Sequence, residues 1–64
     1  MENEVTKIME NMEEQFLEAA RDAVKFTEGN NSAGTRVRKA MQNIKNLAQQ
    51  VRLEVQHQKN GVTA

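Results

Sequence analysis

The sequence predicts an all-α protein, an antiparallel helical hairpin with arms over about residues 3–28 and 31–58 that dimerises into a four-helix bundle. Three observations predict it. Apolar residues recur at spacings of three and four along both halves, Gly29-Asn30-Asn31-Ser32-Ala33-Gly34 interrupts them near the middle, and there is no proline in the 64 residues. One interruption makes two arms, so residues 1–64 read as a single helical-hairpin domain.

In the first arm Met9, Met12, Phe16, Ala19, Ala23 and Phe26 form one row, which Val5 extends. It is the kind of coiled-coil seam that packs helix on helix. Leu17, Ala20 and Val24 form a second row, about a quarter turn away at 100° per residue. One partner helix covers one row. A second row asks for a second neighbour, most simply from another chain, with Ala19, Ala20 and Ala23 permitting close approach.

Between the arms, Gly29 can take the left-handed conformation that stops a helix, and Asn30, Asn31 or Ser32 can cap the next one. Gly29, Asn30 and Gly34 are the expected hinge and cap positions. The cations that follow at a helix start also offer an anion a place to sit.

The second arm has its seam at Val37, Met41, Ile44, Ala48, Val51 and Val55, with Ala33 one turn earlier and Ala40 and Leu47 on the flank. Each arm spans roughly 35–40 Å at 1.5 Å per residue. Residues 60–64 are expected to fray. The expected oligomer core combines both arms: Met9, Met12, Phe16, Leu17, Val24, Phe26, Met41, Ile44 and Val51.

A chain of this size, with no cysteine and no aromatic beyond Phe16 and Phe26, buries too little apolar surface to be comfortable alone. Self-association into a homodimer or higher oligomer is expected. No apolar run approaches a membrane span, and the N-terminus is acidic where a signal peptide would be basic, so a cytoplasmic protein with no membrane contact is expected. The formal charge of zero hides a polarity. Residues 1–28 carry eight acids and three bases, a net −5, whereas residues 29–64 carry six bases and one acid, a net +5. Two helices of opposite sign attract each other; alternatively the second helix meets a polyanion while the first keeps the chain soluble.

Arg38, Lys45, Arg52 and Lys59 are seven residues apart and form one cationic ridge in steps of roughly 10 Å, with Arg36 and Lys39 off the ridge at the hinge end. Such a row suits sequence-independent contact with nucleic-acid phosphates. It equally suits a solvated flank pairing with Glu10 or Glu13, or with another chain. Gln42, Asn46, Gln49, Gln50 and Gln56 cover the outer face, Asn43 lies further round, and no aromatic interrupts them, so stacking on single-stranded bases has no support. Leu53, nearly opposite the seam, reads as an ordinary exposed leucine. Glu54 and His57 make Glu-x-x-His, but they sit about 80° and 140° from the middle of the seam and cannot both point inward as ligands of a bundle metal site do. No metal or other cofactor is expected. With no nucleophile–base pair and no phosphate-cradling loop after a strand, no enzyme activity and no small-molecule substrate are expected either.

Gly29-Asn30-Asn31-Ser32-Ala33-Gly34-Thr35-Arg36-Val37-Arg38 resembles the Gly-Asn-Lys-Ala-Ala-x-x-Arg-x-Arg signature of the bacterial linker-histone-like family, the chlamydial-type histone-like nucleoid proteins and their short relatives. The resemblance continues through Lys39, Ala40, Ala48, Arg52 and Glu54, while the first arm matches only in character. Gly29, Asn30, Ala33, Arg36, Arg38 and Arg52 stand on matching positions. Asn31 replaces the usual Lys, Val51 an aromatic and Leu53 a Lys, and the Lys/Ala/Pro-rich tail of the chlamydial members is missing. The resemblance implies a helical protein of the bacterial nucleoid that binds and compacts double-stranded DNA without strong sequence preference. On this reading Arg36, Arg38, Lys39, Lys45, Arg52 and Lys59 contact DNA phosphates. The rival expectation is a helical oligomerisation or adaptor protein that binds no nucleic acid.

Overall fold

The computed structural model describes residues 3–63, without the side chains of residues 62 and 63. Among the described residues it holds two helices, α1 (Glu4–Thr27) and α2 (Asn31–Thr63), packed as an antiparallel hairpin with no strand.

Asn3 starts α1. Its backbone is extended, with φ −91° and ψ 147°, and its Oδ1 accepts from the Val5 N–H at 2.8 Å, satisfying one of the donors that a helix start leaves open. At the far end Gly29 adopts φ 104°, its N–H donates to the Phe26 carbonyl at 3.0 Å, and the Asn30 N–H reaches back to the Lys25 carbonyl at 3.0 Å. These two bonds form a Schellman ending, for which a left-handed residue is required. Asn30 also opens α2, because its Oδ1 accepts from the Ala33 N–H at 3.0 Å. One residue thus closes one helix and caps the next, and the chain reverses within residues 28–30.

The open end of the hairpin is tied by amides. Asn3 Nδ2 donates to Gln58 Oε1 and Gln58 Nε2 donates to Asn3 Oδ1, both at 2.8 Å, and Gln58 Nε2 also donates to Glu54 Oε1 at 3.1 Å. The second arm does not end at about Gln58 as expected. It continues to Thr63, so residues 60–63 are helical rather than frayed, while Ala64 lies outside the described residues. Nothing stops it earlier. Gly61 keeps an ordinary φ, there is no proline, and Gln56 Nε2 bonds Asn60 Oδ1 one turn on at 3.3 Å.

The contact between the helices is also rotated from the expected one. On α1 the half-buried or buried residues are Val5, Ile8, Met12, Gln15, Ala19, Asp22 and Ala23, and on α2 they centre on Ala33, Val37, Ala40, Ile44, Leu47 and Val51. Met9, Phe16, Phe26, Met41 and Val55, expected in the seams, are exposed, and Ile8 and Gln15 take the inward places. At 100° per residue each helix has turned about 30–40° from its expected position. The reason is size. Packed helices lie 8–10 Å apart, nearest where the facing side chains are small, and the two buried residues of the described chain are Ala19, 4% exposed, and Ala33, fully buried. Turning the alanines inward brings the backbones together and leaves the larger apolar side chains outside.

Gly34 shows the same closeness at the hinge. A methyl group on its Cα would lie 2.6 Å from Phe26 Cδ1, so the ring rests directly on the α2 backbone. Two glycine substitutions separate these effects. Gly29→Ala should destabilise the hairpin by about 1 kcal/mol through its left-handed φ. Gly34→Ala should stabilise by up to about 1 kcal/mol in a Phe26→Ala background, where helix propensity acts alone, and by measurably less with Phe26 present. Urea unfolding of the four variants gives both numbers.

Candidate nucleic-acid interface

The hairpin is a slab of 54 × 20 × 11 Å with two broad faces. One face carries a groove lined by Gln15, Glu18, Ala19 and Asp22 of α1 and by Arg36, Lys39, Ala40 and Asn43 of α2. Within it Arg36 Nε donates to Asp22 Oδ1 at 3.0 Å, with half of the arginine side chain still in solvent. Arg36 and Lys39 follow the N-terminal cap of α2 by two turns, which places both cations at the hinge end.

The opposite face is apolar, with acidic side chains on its α1 side and basic ones on its α2 side. One groove there is lined by Met9, Glu10, Met12, Glu13, Phe16 and Ile44, and a second nearer the hinge by Ala23, Phe26, Gly34, Val37 and Arg38. Arg38, Lys45, Arg52 and Lys59 run along the α2 border of this face. A seven-residue step falls about 20° short of two full turns, so the row winds slowly inward from Arg38 to Lys59. All four side chains are exposed. Among the described residues the one ion pair is Arg36–Asp22, so the ridge makes none with Glu10 or Glu13 of its own chain. The hairpin therefore presents the ridge to solvent rather than using it to hold α1.

The six expected phosphate contacts do not share one face. Arg38, Lys45, Arg52 and Lys59 border the apolar face, while Arg36 and Lys39 stand on the other. All six remain solvent-accessible on the two sides of one helix. Lys25 was not singled out from the sequence, yet as an exposed base in the last turn of α1 it joins the hinge-end cations. Asp22 was also not singled out. Its signal was available, since it lies three residues after Ala19 on the inward side of α1.

A family model described as Histone H1-like protein Hc1 matches residues 6–61. The chain belongs to that family. No curated protein and no solved structure matches it. Membership in the histone H1-like family extends the likeness of the central stretch to nearly all of α1, which had matched only in character. It points to a DNA-binding protein of the nucleoid. No helix among the described residues is long and apolar enough to cross a membrane.

The Arg36–Asp22 pair gives a direct check on this geometry. Asp22→Asn should cost the hairpin less than about 1 kcal/mol, since the arginine is half exposed. It should also tighten duplex binding by releasing Arg36 and removing a negative charge. Urea unfolding and a duplex titration measure the two effects.

Proposed function

We propose that this histone H1-like protein binds double-stranded DNA without strong sequence preference, through phosphate contacts from Arg36, Arg38, Lys39, Lys45, Arg52 and Lys59, and that it acts as a homo-oligomer in the bacterial nucleoid. The observation that carries the reading is the solvent-facing row Arg38, Lys45, Arg52 and Lys59, unpaired within the hairpin, on a chain of this family. Guanidinium and ammonium groups at steps of roughly 10 Å meet phosphates as charges and as hydrogen-bond donors, and they carry no information about base sequence. The outer amides of α2 can add bonds to phosphate or sugar. No step of bond-making chemistry enters, and no cofactor is needed.

The net charge of the whole chain is zero, so binding depends on separating the two signs. The acidic outer side of α1, with Glu10 and Glu13, must face away from DNA or be occupied by another subunit. Self-association accomplishes this and also covers the apolar side chains that the hairpin leaves exposed. We place Met9, Met12, Phe16, Leu17, Val24, Phe26, Met41, Ile44 and Val51 in the core of the resulting four-helix bundle. A second reading, an adaptor that oligomerises and meets only protein, is favoured by the same exposed apolar face.

A salt-dependent duplex titration tests the proposal against the adaptor. Neutralising four to six phosphates predicts that log affinity falls against log salt with a slope of about −4 to −5. Replacing Arg36, Arg38 and Arg52 with Ala should weaken all duplex sequences about equally and flatten the slope by two to three units, roughly one for each lost contact. Retained oligomer with no duplex binding at low salt selects the adaptor.

A further inference from the structure

Five of the large exposed apolar side chains, Met9, Phe16, Phe26, Met41 and Val55, lie on the basic-bordered face, and Leu17 and Val24 continue it round the outer edge of α1. Leu53, on the back of α2, is apart. The slab is 54 by 20 Å in outline, broad enough for its face to hold the roughly 800 Å² of accessible surface that each partner buries in a standard interface. Its two edges are of opposite sign, with Glu10 and Glu13 on α1 and Arg38, Lys45 and Arg52 on α2.

We propose that a second copy covers this face with its α1 over the first copy's α2, about a two-fold axis parallel to the helices, so that both hinges stand at the same end of the bundle. The alternative two-fold axis, perpendicular to the helices within the interface, lays α2 on α2. That brings two cationic ridges together along one border and two acidic edges along the other, which like charges oppose. On α2, Gly34, Met41, Ala48 and Val55 form a row of seven-residue steps interleaved with the basic row. Small and apolar side chains thus receive Phe16 and Met9 of the second copy, while the basic ones reach its acidic edge.

The parallel axis also fixes the register. A rotation about it permits no slide along the helices, so the second copy keeps the hairpin's own levels. Asn3 meets Gln58, Asp22 meets Arg36 and Phe26 meets Gly34, so residue numbers at one level sum to about 60. The second copy's Glu13 then stands level with residue 47 and its Glu10 with residue 50. Each is two residues, about 3 Å, from Lys45 and Arg52 respectively. Those carboxylates engage Lys45 and Arg52, so in this dimer the phosphate contacts of the proposed function narrow to Arg36, Arg38, Lys39 and Lys59. The hinge end becomes the basic pole, because residues 22–39 hold four bases and two acids in each copy, a net +4 for the pair. This rests on the self-association in the proposed function but not on its DNA contact.

The test uses no DNA. The chain has no cysteine, so a spin label at Glu28→Cys, or at Lys25→Cys should the turn be disturbed, reports the hinge-to-hinge distance alone. The expected distance is about 20–30 Å, set by neighbouring helices 8–10 Å apart plus the labels. In parallel, Glu13→Lys should weaken the dimer about tenfold or more, since symmetry counts the pair twice, and adding Lys45→Glu should restore it. Hinge labels about 50 Å apart, a monomer at every concentration, or charge reversal without effect each overturn the proposal.

Discussion

Among the described residues only Ala19 and Ala33 are buried, and every described side chain larger than alanine keeps part of its surface in water. That is the constraint on which the rest depends. Two helices share one interface, and one interface cannot enclose a side chain on all sides. Alanine is small enough to vanish between two backbones, but its burial contributes little compared with the 1.5–3 kcal/mol of a fully buried Leu or Phe. The hairpin is therefore specified more by its ends than by its middle. The Schellman ending at Gly29, the shared cap at Asn30 and the Asn3–Gln58 amide pair hold the arms in register. The apolar side chains that could supply stability face outward, available to another copy.

Charge follows from the same geometry. Because the alanines turn inward, the basic row of α2 is carried to the border of the apolar face instead of toward α1. Among the described residues the opposite signs of the two arms are consequently not paired off within one chain, apart from Arg36–Asp22. A neutral protein keeps two charged edges. On the proposed function and the proposed packing of two copies, those edges divide the work between holding a partner copy and meeting phosphates, and the hinge end, where bases outnumber acids, is the part left open.

Much of this was legible in the sequence. Regular three-and-four spacing with a single Gly-Asn break has few solutions other than a hairpin, and Gly29 and Asn30 announced the turn through their conformational and capping chemistry. The rotation of the helices was less legible. On α1 the expected row through Met9 and Phe16 and the observed row through Ile8 and Gln15 share Val5, Met12, Ala19 and Ala23, both satisfy helical periodicity, and hydrophobicity favours the first. Close packing favours the second, and hydrophobicity alone does not report how near two backbones come. The helical end of α2 escaped for a similar reason. Gly61 and polar neighbours read as a fraying tail, whereas a helix already thirty residues long extends through a glycine at a cost of about 1 kcal/mol. For the cations, the seven-residue row was plain, but the separation of Arg36 and Lys39 onto the other face needed the seam to be located first.

The central claim is that one hairpin is half of a folded unit. Thermal unfolding followed by helical circular dichroism over a thousandfold range of protein concentration tests it most directly. Coupled folding and association predict a midpoint that climbs steadily with concentration. A single cooperative midpoint, unmoved across the whole range, would contradict the account, because a two-helix chain would then be stable with its apolar face in water.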